Sequence, residues 1–132
     1  MTTATRVEDV MSTALVTIRD ADTIAAAEAE MKLIGIRHIP VVDDQQNLIG
    51  MLSTRDVLAA LAKGKKSVRV GEYMTRKIVS VTPDTPIPQA IDLLLEHRFG
   101  SLPVVGRDGH LIGIVTETDF LRASRNAFSA RP

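Results

Sequence analysis

An internal repeat constrains this chain more than any other feature. Residues 7–58 align with residues 70–121 without a gap, each residue meeting the one 63 positions later, as Met11 meets Met74. Of these 52 pairs, 13 are identical, from Val7 with Val70 to Leu58 with Leu121. Pro40-Val41-Val42 falls on Pro103-Val104-Val105, Leu48-Ile49-Gly50 on Leu111-Ile112-Gly113, and Asp56 on Asp119. A unit of roughly 55 residues buries too little surface to be comfortable alone. The pattern therefore predicts that each copy leaves an apolar face for the other to cover.

Both copies read as the same order of elements. Leu15-Val16-Thr17-Ile18 and Ile78-Val79-Ser80-Val81 are short β-branched runs and predict strands. Asp22-Thr23 and Thr85-Pro86 read as helix starts, with proline tolerated in a first turn. Ile24, Ala27, Met31 and Ile34, matched by Ile87, Ala90, Ile91 and Leu94, have the spacing of one helix face. Ile39-Pro40-Val41-Val42 and Leu102-Pro103-Val104-Val105 predict strands. The polar turns 43–47 and 106–110 then lead into hairpin strands at 48–52 and 111–115. Helices follow at Asp56–Lys63 and Asp119–Ala127, and the tail Phe128–Pro132 reads as frayed. The expected fold class is α/β (α+β), as two β-α-β-β-α repeats packed sheet to sheet with pseudo-two-fold symmetry. The expected domains are 7–63, a linker at 64–69, and 70–127.

Composition narrows the function. Hydrophobic residues make up 45% of the chain but aromatics only 3%, so the core must be aliphatic. Without cysteine there is no disulfide, thiolate metal site or cysteine nucleophile. Sixteen Lys and Arg balance sixteen Asp and Glu, which gives no general attraction to nucleic acid or to anionic membranes. No apolar stretch approaches the roughly 20 residues of a membrane span, and Met1–Arg6 lacks a signal-peptide core. A cytoplasmic protein is expected. The histidines lack metal-ligand spacing, Asp43-Asp44 lacks the ligand ladder of a calcium loop, and no phosphate-binding glycine loop occurs. No nucleophile sits beside a general base, so the chain is not expected to be an enzyme.

The openings at Met11 and Met74 and the Pro-Val-Val strands carry a resemblance. So do the endings Gly50-Met51-Leu52-Ser53-Thr54-Arg55-Asp56 and Gly113-Ile114-Val115-Thr116-Glu117-Thr118-Asp119. Across residues 7–125 the chain resembles a tandem pair of cystathionine-β-synthase (CBS) domains, a Bateman module of the stand-alone kind. The resemblance implies two related clefts that bind adenine-containing ligands, namely AMP, ADP, ATP or S-adenosylmethionine, as regulatory ligands with no cofactor required. It assigns ribose contacts to Asp56, Asp119, Ser53, Thr116 and Thr118, and an adenine pocket to Thr13, Leu15, Val16, Lys77, Ile78, Val79, Ile39, Pro40, Leu102 and Pro103. Arg37, His38 and Arg55 are the candidate phosphate contacts. Each cleft in similar modules joins one repeat's Asp to the loop before the other's first strand. Asp119 should then face Ser12–Val16, and Asp56 should face Thr75–Val79.

Elementary chemistry is consistent with those roles. A carboxylate at a helix start accepts both hydroxyls of a ribose diol, and the free N–H groups there favour an anion. Arginine offers a planar fork suited to phosphate. The blander account is equally concrete. Asp56 and Asp119 then stabilise their helices as first-turn acids, each worth about 0.3–1 kcal/mol. Ser53, Thr54 and Thr116 are N-caps, and Arg37-His38 is a solvated pair. Arg37-His38 becomes Gly100-Ser101 in the second copy, which puts an equal charge preference of the two clefts in doubt. Similar modules pair through their repeat helices, so a homodimer is expected, with Leu33, Leu93 and Leu95 as candidate contacts. An unidentified effector protein would read the ligand state. The alternative is a ligand-free interaction or scaffold protein with vestigial clefts.

Overall fold

The computed structural model describes residues 4–129, apart from the side chain of Ser129. The readings at Met1–Thr3 and Ala130–Pro132 lie outside these residues. The fold is α+β, with four helices and two small sheets among the described residues. The first copy contains β1 (Ile18–Arg19), α1 (Ile24–Ile34), β2 (His38–Val42), β3 (Leu48–Ser53) and α2 (Thr54–Ala62). The second contains α3 (Ile87–His97), β4 (Ser101–Val105), β5 (Leu111–Thr116) and α4 (Glu117–Ser129). Short 3-10 turns at Val7–Asp9 and Val70–Glu72 precede them.

Two compact units form, and their boundaries are out of phase with the sequence repeat. One is Val16–Ile78; the other joins the residues up to Leu15 to those from Val79 onward. In the first unit, β1 runs parallel to β2, with Ile18 opposite Val41, and β2 pairs antiparallel with β3, with Ile39 opposite Leu52. Ile24, Ala27, Met31, Val57 and Ala60 of α1 and α2 cover one face of this sheet, and Val70 and Met74 complete the core. In the second unit, β4 and β5 pair with Leu102 opposite Val115, and Ala90, Leu94 and Phe120 pack on them with Val7. Full burial of one such side chain contributes roughly 1.5–3 kcal/mol. Val7 and Val70, both 0% exposed, therefore tie the opening segment of each copy firmly into the unit built on the other copy.

This phase shift corrects two strand readings. Of Leu15–Ile18 only Ile18 joins a strand, and of Ile78–Val81 only Val81 pairs, through a single parallel bridge to Val104. The chain passes from one unit to the other at Leu15/Val16 and again at Ile78/Val79, so residues upstream cannot extend either ladder. The tail reading is also corrected: α4 continues through Phe128 to Ser129.

Local chemistry sets the helix ends. The Thr23 hydroxyl accepts from the Ala26 N–H at 3.1 Å and caps α1. Pro86 stands just before α3 rather than inside its first turn, and Pro88 occupies the second helical position. Gly35 closes α1 in the left-handed conformation at φ 77°, and Arg98 does the same for α3 at φ 56° despite its side chain.

Candidate ligand-binding site

Each unit carries one polar junction where a hairpin strand turns into a helix. In the first, the Ser53 N–H donates to Asp56 Oδ2 at 2.8 Å and the Asp56 N–H donates to Ser53 Oγ at 3.2 Å. In the second, the Thr116 N–H and hydroxyl donate to Asp119 Oδ2 at 2.8 and 3.1 Å, and the Asp119 N–H donates to Thr116 Oγ1 at 3.3 Å. These are reciprocal capping boxes with Asp in the place of Glu or Gln. The capping reading is thus realised, and it takes one carboxylate oxygen of each motif aspartate. The other oxygen differs between units: Asp119 Oδ1 stands 3.7 Å from the Arg122 guanidinium, and Asp56 has no ion pair among the described residues.

The strand register decides what faces each junction. His38 lies opposite Ser53 and Pro40 opposite Met51; equivalently, Ser101 lies opposite Thr116 and Pro103 opposite Ile114. Paired side chains project to the same face of a sheet, so His38 and Ser101 sit beside the two capping boxes. Ile39 and Leu102, both expected in the adenine pocket, turn the other way and are 0% exposed within the two apolar cores. Their neighbours Pro40 and Pro103 share the polar face and are buried.

Backbone bonds fix the entry to each strand in the same manner. The Thr54 N–H donates to Arg37 O at 2.9 Å, and the Glu117 N–H donates to Gly100 O at 3.2 Å. Arg37 itself lines a groove of about 200 Å3 between α1 and α2, with Met31, Val57 and Leu58. That direction separates it from His38. Arg55 and Thr118 are exposed at the second position of their helices.

The segments expected to complete each site pair along the hairpin edge. Ser12 and Ile114 exchange N–H···O bonds of 2.9 and 3.0 Å, and Met51 and Thr75 exchange bonds of 3.0 and 2.8 Å. Thr13 and Leu15 follow Ser12 in the unit of Asp119, and Lys77 and Ile78 follow Thr75 in the unit of Asp56. Val16 and Val79 begin the alternate unit in each case. Thr13 and Lys77 are exposed; Leu15, Val16, Ile78 and Val79 are half-buried.

A role that sequence reasoning missed links the two motifs. A Cβ on Gly50 would stand 2.5 Å from Met74 Sδ, and a Cβ on Gly113 would stand 2.8 Å from Met11 Sδ. The motif methionine and the motif glycine are therefore two halves of one contact. Each contact joins the glycine of one copy to the methionine of the other, so the recurrence of both residues at one offset marked them without saying which meets which.

Comparison with known proteins agrees with this architecture. CBS domains match residues 7–63 and 70–126. An uncharacterized 17.7 kDa protein of Acidianus ambivalens is 33% identical over 91% of this chain and 73% of its own length. An inosine-5'-monophosphate dehydrogenase of Methanocaldococcus jannaschii is 32% identical, and the chain spans only 25% of it. The CBS domain pair of protein MJ0100, in complex with 5'-methylthioadenosine and S-adenosyl-L-methionine, superposes with TM-score 0.83 at 28% identity, covering 92% of this chain and 97% of that one. CBSX2 in complex with AMP superposes with TM-score 0.86 at 30% identity, covering 94% and 98%. Two matched capping boxes, two matched glycine–methionine contacts and these likenesses lead to one assignment: the chain belongs to the CBS domain family and carries two copies of the domain.

Proposed function

We propose that this chain is a non-enzymatic regulatory module that binds adenine-containing ligands at its two polar junctions and passes their presence to a partner protein by a change of conformation. The observation that carries the reading is the matched pair of junctions. Each sets a motif aspartate, half-buried, beside a hydroxyl at a helix start, where backbone N–H groups and the helix dipole favour anionic or hydrogen-bonding ligand groups. Structural relatives crystallised with AMP, or with 5'-methylthioadenosine and S-adenosyl-L-methionine, support the ligand class. Asp56 and Asp119 accept ribose hydroxyls through the oxygen that the capping box leaves over. Arg55 and His38 meet phosphate, while Arg37 lies apart from them in the groove between α1 and α2.

Calorimetric titration of the full chain with AMP, ATP and S-adenosylmethionine tests this. Asp56→Asn together with Asp119→Asn keeps a capping oxygen but removes the ribose-binding charge. Binding should weaken by about 1.5–3 kcal/mol, roughly ten- to a hundredfold. Unchanged affinity in a folded double variant overturns the site, and failure of the unaltered chain to bind any of these ligands favours the scaffold alternative.

The same module pairs with a second copy through its helices. Leu58 and Leu121 are identical in the repeat yet 59% and 69% exposed, and Leu33 and Leu95 are 82% and 72% exposed. Exposed leucines concentrated on helices suit burial against another protein. Leu93 is half-buried against the core of its own unit and offers less surface to a partner. Light scattering at micromolar concentration should give twice the 14.3 kDa chain mass, and Leu58→Asp with Leu121→Asp should return it to that mass. A monomer in the unaltered chain refutes the pairing.

No described helix is long and apolar enough to cross a membrane.

A further inference from the structure

The two junctions have the same backbone and opposite electrostatics. The 63-residue offset that superposes them sets His38 against Ser101, Arg55 against Thr118, Lys77 against Ala14 and Thr54 against Glu117. The exchanges at Arg55, Lys77 and Thr54 each make the junction of Asp56 more positive than that of Asp119, and the His38 exchange changes size and hydrogen-bonding capacity. Arg122 is the one cation drawn to Asp119 among the described residues, and its charge is spent on that carboxylate. The asymmetry extends to whole units. Val16–Ile78 contains ten Lys and Arg against eight Asp and Glu, and the remaining residues contain six against eight, so the net charge of zero divides into +2 and −2.

A second observation points to a ligand group at the less basic junction. Ser101 is only 8% exposed, and its Oγ is the one buried side-chain polar atom among the described residues without a hydrogen-bond partner. It lies opposite Thr116, the hydroxyl of the capping box, on the same sheet face. Directly opposed side chains stand about 4.5–5.5 Å apart at Cβ, close enough for one ligand group to meet both hydroxyls. A buried hydroxyl left unpaired costs free energy that a hydrogen-bonding ligand recovers. A serine also occupies far less space than the imidazole at position 38, and it brings no charge to stabilise an anion.

We infer that the junctions select by charge. The Asp56 junction takes a phosphorylated adenine nucleotide. The Asp119 junction takes an adenosine derivative without phosphate, whose 5' substituent is uncharged or cationic, with Ser101 donating to or accepting from the sugar end of the molecule. With Asp119 offset by Arg122, Glu117 leaves this junction with negative charge that repels a phosphate dianion and attracts a sulfonium or ammonium group. This partition rests on the reading of the junctions as adenine-ligand sites.

Calorimetry with the full chain and four probes decides it: AMP, ATP, 5'-methylthioadenosine and S-adenosylmethionine. Asp56→Asn should weaken AMP and ATP about tenfold or more and leave 5'-methylthioadenosine unchanged, and Asp119→Asn should do the reverse. Ser101→Ala should weaken 5'-methylthioadenosine by about three- to tenfold with no effect on ATP. Ser101→His should carry AMP binding into the second junction, so that AMP then survives Asp56→Asn. Loss of both ligand types through one aspartate, or equal use of both junctions by ATP, overturns the partition and leaves the adenine-ligand reading standing. Binding of none of the four probes by the unaltered chain overturns both.

Discussion

Replacing Gly50 with alanine tests the contact that joins the two motifs of this fold. The new methyl would sit 2.5 Å from Met74 Sδ, 3.0 Å from Cγ and 3.2 Å from Cε, where ordinary contacts begin near 3.4 Å. Relief requires the thioether to retreat by about 1 Å, yet Met74 is 8% exposed and belongs to the apolar core of Val16–Ile78. Overpacking of this kind costs about 1–3 kcal/mol. Met74→Ala alone leaves a cavity and costs about 2–5 kcal/mol. In the double variant the methyl on residue 50 enters space that the thioether has vacated, so the two losses should not add. The summed single effects should exceed the double by about 1–2 kcal/mol, well above the 0.3–0.5 kcal/mol scatter of independent sites. Urea unfolding monitored by circular dichroism measures all four corners of the cycle. Additivity within that scatter refutes the contact as the reason for glycine. Gly113→Ala meets Met11 Sδ at 2.8 Å but also the Ser12 carbonyl at 3.1 Å, so Met11→Ala should rescue it less completely.

Two further outcomes concern the caps and the carboxylates. Asp119→Ala deletes the acceptor of the Thr116 N–H and should lower stability by about 0.5–2 kcal/mol, with Asp119→Asn close to the unaltered chain; equal losses in denaturant titrations would show that the capping oxygen does not matter. The 0.3–1 kcal/mol expected from the dipole alone is thereby revised upward, because the carboxylate also accepts from the Thr116 N–H and the Thr116 hydroxyl. Backbone N–H groups of Thr5 and then Arg6 hold the Asp9 carboxyl below its usual 3.8, and the Thr82 hydroxyl and then its own N–H do so for Asp84. The folded state therefore binds fewer protons than the unfolded one. Stability from these groups is complete above pH 3.8 and is lost as pH falls through their lower folded values. Asp9→Asn with Asp84→Asn should flatten the acid limb of a pH-stability curve below that value, and an unaltered slope there would refute the assignment.

Much of the fold is written into local pattern. Thr23 before an apolar helix face and Ser53 or Thr116 three residues ahead of an aspartate act through neighbours within one turn, the Pro-Val-Val strands pair with the next strand of their hairpin, and each does what its pattern implies. The aspartates were legible both as caps and as ligand contacts, because a carboxylate has two oxygens and the cap uses one. Readings failed where a residue's role depends on distant chain. Leu15–Thr17 and Ile78–Ser80 have strand composition but no strand partner, since the chain changes unit there. The resemblance places Ile39 and Leu102 in an adenine pocket, whereas strand alternation with helix packing turns both into the cores.

The repeat by itself determined that two copies of one unit exist, which elements they contain, and where each polar junction falls along the chain. These follow from periodicity, capping chemistry and a fixed offset, all local or self-referential properties. Only the tertiary structure decided that the opening segment of each copy belongs to the unit of the other. Val7, Met11, Val70 and Met74 look alike in both copies, and nothing in a sequence states which of two similar apolar faces such residues will cover. Burial does not depend on chain direction, and a Cβ-free glycine at positions 50 and 113 selects its methionine only once the hairpin exists to receive it. Tertiary structure likewise left the Ser101 hydroxyl buried and unpaired beside Thr116, because the register that opposes them is a property of the folded hairpin rather than of either strand.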